Sequence, residues 1–166
     1  MGASVKDAET HFIGLVCRPA DEAQKRLGDV VCVSRGPAGC PVARCGAESP
    51  IPTYGGVPLN SATFYFGGDK LHSIMLSIKP DDANQLIESI RLKFGDPASD
   101  DRTPVQNRMG ATFEQREAVW MVAGTRIKVS RYTNSIERGL ATITAPGALD
   151  HMKANQPSRE KRLGDM

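Results

Sequence analysis

The sequence predicts an α+β fold in which an antiparallel sheet is packed by two helices. Three observations support it. Alternating apolar runs flank a tight turn, helical apolar spacing follows them directly, and a second, shorter helix-like segment lies near the start. The tripeptides at 27–29 and 94–96, apolar-Gly-Asp in both cases, follow the two helix-like segments. They raise the possibility of a tandem repeat of a helix followed by strands.

The clearest element is a hairpin in the middle of the chain. Residues 61–66 alternate between apolar and polar side chains, and so do residues 71–79. The intervening "GGDK" at 67–70 has the composition of a tight turn. This segment therefore predicts two adjacent antiparallel strands.

Two segments predict helices. Residues 80–97 give the stronger prediction, because their apolar residues fall at helical spacing before Gly95 and Pro97 end the pattern. Residues 19–29 predict a shorter helix, in which Pro19 and two acids suit the first turn and Gly28 ends it. Further strands are expected at 30–34, within 118–132 around Gly124, and at 139–145, whereas 98–110 is expected to be polar and irregular.

The chain of 166 residues is long enough for one domain with its own core. We expect this domain to span 11–149, with possible half-repeats at 15–79 and 80–145. Residues 1–10 are expected to be disordered or introduced for expression, and 150–166 to be a flexible polar tail.

Composition argues against two classes of partner. The formal net charge is only +2, from 21 basic and 19 acidic residues, which is too balanced to indicate binding to nucleic acid or an anionic membrane. No apolar run approaches the roughly 18 residues of a membrane helix. The start lacks the apolar core of a signal peptide, so an exported chain would have had its leader removed.

The four cysteines carry the main chemical question. Cys17, Cys32, Cys40 and Cys45 all fall in the first third of the chain, and the last two lie in a loop rich in Gly, Pro and Ala. This clustering favours a disulfide framework, with Cys17 bonded to Cys32 and Cys40 to Cys45. A zinc site and free or redox-active thiols remain alternatives. Disulfides favour a periplasmic or secreted protein, and a cytoplasmic one is the alternative.

The segment "FYFGGDKLHSIMLSIKPDDANQLIESIRLKFGDP", followed by a strand with a single Trp and then "RIKV", is similar to a known layout. It resembles the beta-lactamase-inhibitor-protein-like fold of exported bacterial proteins, which includes small lipoproteins of the outer-membrane barrel-assembly machinery. The resemblance implies a helix layer on an antiparallel sheet whose face or loops bind another macromolecule. It implies no catalytic residues and no cofactor. The chain has no Cys near its start to carry a lipid.

Four residues are candidates for contact with a protein partner: Arg44, Tyr54, Tyr65 and Trp120. Exposed aromatic and Arg side chains are the usual anchors of protein interfaces. We therefore expect a non-enzymatic, inhibitor- or adaptor-like protein that binds another protein through its sheet face and the Cys-rich loop. One alternative is a small enzyme with a site assembled from loops around His72. Another is a cytosolic zinc or regulatory module that uses the four cysteines.

Overall fold

The computed structural model describes residues 4–6, 15–22, 24–25, 27–35, 53–107 and 109–148. Their ten strands are β1 (Val16–Pro19), β2 (Val30–Arg35), β3 (Thr53–Tyr54), β4 (Val57–Pro58), β5 (Ser61–Gly67), β6 (Lys70–Ile78), β7 (Ser99–Gln106), β8 (Thr112–Val122), β9 (Thr125–Ser130) and β10 (Gly139–Thr144). A 3₁₀ turn at Pro80–Asp82 leads into helix α1 (Ala83–Phe94). Eight strands form one antiparallel sheet in the order β1-β2-β5-β6-β10-β9-β8-β7, and β3 pairs with β4 alone.

Helix α1 covers one face of the sheet, here called the first face. Its buried residues are Ala83, Leu86, Ile87 and Ile90. They belong to one core cluster with alternate residues of the strands, among them Phe64, Leu76 and Val129. Successive side chains of a strand point to opposite faces, so the apolar residues at every second position meet the helix. The β3–β4 hairpin lies beside α1, where Val57 joins the same cluster and Ser89 Oγ donates to Gly55 O.

In the described part of the chain, the fold is mostly antiparallel sheet with the short helix α1, so the prediction of an α+β sheet packed by two helices is wrong. The described residues of 19–29 form hydrogen-bonded turns, and Pro19 belongs to β1. Apart from Ala20 and Ala23, this segment offers only Leu27 as an apolar side chain. A helix of that length needs an apolar stripe packed on the core, which the sequence does not supply.

The predicted tandem repeat is also wrong, because it required a helix before each set of strands. The two halves each contribute four strands to the sheet, β1, β2, β5 and β6 from one and β7 to β10 from the other. They meet at the pairing of β6 with β10. Helix α1 precedes only the second set, so no unit of helix plus strands occurs twice in the part of the chain that is described.

Residues 98–110 were expected to be irregular, yet most of them form the edge strand β7. The sequence does not indicate this strand because charged residues and Pro are rare in central strands, and β7 contains Asp100, Asp101, Arg102 and Pro104. The same residue types are typical of exposed edges, where they discourage pairing with other chains.

Candidate functional site

The second face of the sheet, opposite α1, carries a row of side chains that crosses six strands. We call it the central row, and it consists of Val33, Thr63, Met75, Thr142, Lys128 and Val119. Their registers place each residue directly beside the next across β2, β5, β6, β10, β9 and β8. All six are half-buried. The row therefore forms a continuous strip of Val, Thr, Met and Lys side chains that retains solvent contact.

The one charged member of the central row is neutralised locally. Lys128 Nζ lies 3.0 Å from Glu117 Oε1, and Ser130 Oγ donates to the same oxygen at 2.8 Å. Burial alone would raise the pKa of Glu117, but hydrogen bonds from Lys128 and Ser130 and nearby positive charge lower it on balance. Glu117 is therefore ionised at neutral pH, and the strip presents little net charge.

One end of the second face is covered by the turn segment that follows β1. Ala20, Val31 and Tyr65 are buried together there, with Leu27 and Val33 packed against them. Tyr65 is only 7% exposed, so its ring contributes to this packing. Its predicted contact with a partner stays a prediction.

The aromatic candidates on the first face are also largely packed. Trp120 is 2% exposed in the main core, and its Nε1 donates to Gly95 O at 2.9 Å, just after the end of α1. Tyr54 is half-buried against the same core, and burial raises the pKa of its hydroxyl. Neither ring offers a prominent anchor for a partner. Arg44 lies outside the described residues.

The structure joins Cys17 and Cys32 in a disulfide between β1 and β2, in agreement with the pairing favoured from the sequence. The two residues are direct register partners, with their Cα atoms 4.0 Å apart. The bond consumes two of the four thiols that a zinc site built from all four cysteines would need. Cys40 and Cys45 lie outside the described residues, so their predicted bond stays a prediction.

His72 lies beside the turn of the central hairpin. The register between β5 and β6 shifts near Phe66, and the half-buried His72 ring fills the space that a Cβ on Gly67 would occupy. Because Gly67 has no Cβ, the ring can occupy this position. This packing accounts for both residues structurally.

A polar cluster that the sequence did not reveal fixes α1 to the sheet. Arg116 on β8 is 5% exposed and donates to both carboxylate oxygens of Asp100 on β7, at 2.8 and 2.6 Å. Its Nη1 also donates to Asn84 Oδ1 on α1 at 3.0 Å, and Arg91 reaches Asp100 from the same helix. Every partner in this cluster is internal, so we read it as structural. Only the strand pairing, unknown from sequence, brings these charges together.

The chain matches no known family, no curated protein and no solved structure. Its resemblance to the beta-lactamase-inhibitor-protein-like group therefore stays a prediction. Within the described ranges, no group of three or more His, Cys, Asp or Glu could hold a metal ion. No helix among those residues is long and apolar enough to cross a membrane.

Proposed function

We propose that the protein is exported from a bacterial cell and binds another protein through the second face of its sheet. The observation that carries the proposal is the central row, a strip of half-buried, nearly neutral side chains crossing six strands. The cores of protein interfaces are poor in charge and rich in apolar contact, and Met adapts readily to different partner shapes. The site on the sheet face replaces the aromatic anchors expected from sequence.

The disulfide supports the proposal that the protein is exported. Cys17–Cys32 links an edge strand to the sheet, and bonds of this kind persist mainly in oxidising compartments such as the periplasm or the extracellular space. We do not propose an enzyme. The strip offers contact surface, and the ionised Glu117 beside it is held by an ion pair with Lys128 and a hydrogen bond from Ser130.

Site-specific photo-crosslinking in the native bacterium would test the proposal. A photoreactive residue at Thr142, in the middle of the central row, should trap one defined protein. The same residue at Gln85, exposed on α1 on the first face, is the matched control and should not trap it. Adding Met75→Glu next to Thr142 should abolish the product, because a partner would have to desolvate the new carboxylate.

The compartment is tested separately by alkylating thiols in intact cells before lysis. Export predicts that Cys17 and Cys32 are blocked to the reagent. Modification of both cysteines in unstressed cells would contradict export. A Thr142 probe that traps nothing, or traps only what Gln85 traps, would contradict binding through the second face.

A further inference from the structure

Strand β1 covers one edge of the sheet with few contacts of its own. It has four residues, three of whose side chains are exposed, and among the described residues it pairs only with β2. The bond from Ala20 N–H to Asp29 O makes these two residues a hydrogen-bonded pair that continues the β1–β2 ladder. In an antiparallel ladder, hydrogen-bonded and non-hydrogen-bonded pairs alternate. Val31 and Val33 thus direct their backbone groups toward β1, whereas Cys17 and Cys32 sit at the position between them.

The outer side of β1 is a poor template for another strand. At alternate positions its backbone groups point away from β2, and these positions are Cys17 and Pro19. Pro19 has no N–H to donate. Strand β2 would be a far better template, because three of the five residues in its "VVCVS" run are β-branched. The N–H and C=O groups on its outer side, which now pair with β1, could pair with another strand once β1 separates.

Strand β2 is also self-complementary in an antiparallel pairing centred on Cys32. The partner's Val31 then lies opposite Val33, where Val16 lies now, and the partner's Val33 lies opposite Val31 in place of Arg18. The partner's Cys32 takes the position of Cys17. A two-fold axis through this point satisfies both edges at once, as an isologous dimer requires.

We propose that the Cys17–Cys32 disulfide holds β1 as a cap, and that opening it lets two copies of this chain pair through β2. A dithiol reductant supplies two electrons and two protons, becomes a disulfide itself, and leaves Cys17 and Cys32 as thiols. Strand β1 then separates, and β2 pairs with β2 of the second copy. A small-molecule disulfide such as oxidised glutathione can then take up the two electrons and two protons, leaving as two thiols, while the Cys32 sulfurs of the two copies join in a disulfide. The pairing uses the backbone edge of β2 and does not depend on the proposed partner, although Val33 also belongs to the central row.

The solution mass tests the pairing. Oxidised protein should elute with the monomer mass of 17.9 kDa by light scattering, and reduced protein should approach twice that mass. Val33→Lys should keep the reduced protein monomeric, because a charged side chain, Lys especially, on an edge strand disfavours pairing with another strand. Reduced wild type that stays at 17.9 kDa, or a reduced Val33→Lys variant that doubles its mass as wild type does, overturns the proposal.

The register is tested with Cys17→Ser treated with oxidised glutathione. Trypsin isolates Cys32 in the peptide 27–35, separate from Cys40 and Cys45, so a disulfide joining two 27–35 peptides identifies the pairing. Cys32→Ser opens the same bond and should dimerise without that link. Links that run only through Cys40 or Cys45 contradict the register. If Cys17→Ser does not fold, the mass of reduced wild type decides alone.

Discussion

At the scale of single residues, the Asp100–Arg116 pair gives the sharpest prediction. Asp100→Asn removes the counter-charge from a guanidinium that is 5% exposed. Breaking a buried pair costs about 3–5 kcal/mol, but Asp100 keeps 22% side-chain exposure and Glu88 lies 3.5 Å from Arg116. We therefore expect the free energy of unfolding in urea to fall by about 2–3 kcal/mol. The exposed neighbour Asp101→Asn is the control and should change it by less than about 0.5 kcal/mol. Equal losses would mean that the pair is not a stabilising contact.

The same pair sets a pH dependence. Hydrogen bonds from Arg116, together with its charge and that of Arg91, hold the pKa of Asp100 below its ordinary value of 3.8 despite its burial. The unfolded chain then binds the proton more readily, so the stabilisation is complete above the ordinary pKa. It is lost as pH falls from about 5 through the lowered pKa. The stability difference between wild type and Asp100→Asn should shrink over that range. A constant difference down to about pH 2 would contradict this.

Among elements, the β8–β9 hairpin predicts a stabilising change. Its two-residue loop places Ala123 at φ 47° and Gly124 at φ 78°, the backbone of a type I′ turn. The left-handed region costs a non-Gly residue about 1–2 kcal/mol, and Asn tolerates it better than Ala. Ala123→Asn should raise the free energy of unfolding by about 0.5–1 kcal/mol, measured as a higher Tm.

Gly124→Ala is the matched opposite in the same loop. Its new Cβ would meet positive φ and lie 3.2 Å from Pro146 Cγ. Its Tm should therefore fall below that of wild type. A higher Tm for Gly124→Ala, or a lower one for Ala123→Asn, would rule out this account of the turn.

Sequence patterns predicted helix α1 and the strands β2, β5, β6, β8, β9 and β10, but they misassigned the segment 19–29 and missed β7. The hairpin of β5 and β6 and the helix α1 were recognised because alternation and helical spacing have different periods. The segment 19–29 failed because suitable end residues do not make a helix without an apolar stripe. Strand β7 was missed because an edge strand with Asp, Arg and Pro has no apolar alternation to detect.

For the whole molecule, strand order limits what sequence can say about the site. Alternation assigns each residue of a strand to a face, but it does not say which strands are neighbours. The pairing of β6 with β10 joins segments that are far apart in the chain and brings Met75 beside Thr142. The central row exists only after that pairing. The four candidate contacts were predicted instead from residue type. Two of them, Trp120 and Tyr65, are buried in the structure, because large aromatic rings bury much apolar area.

The disulfide links the edge of the sheet to the stability of the whole molecule. It joins residues 15 positions apart, and in the chain-entropy model such a bond contributes about 3 kcal/mol by restricting the unfolded chain. The double variant Cys17→Ser, Cys32→Ser should therefore lose about 3 kcal/mol in urea unfolding, at protein concentrations where it is monomeric. The far-ultraviolet circular dichroism of its sheet should remain, since β1 is a single short edge strand. The effect of reductant on the double variant measures the contribution of Cys40 and Cys45. After that effect is subtracted, reductant should lower the stability of wild type by the same amount as the double substitution. A double variant as stable as wild type would show that the sheet holds β1 without the bond, and that the cap does not depend on it.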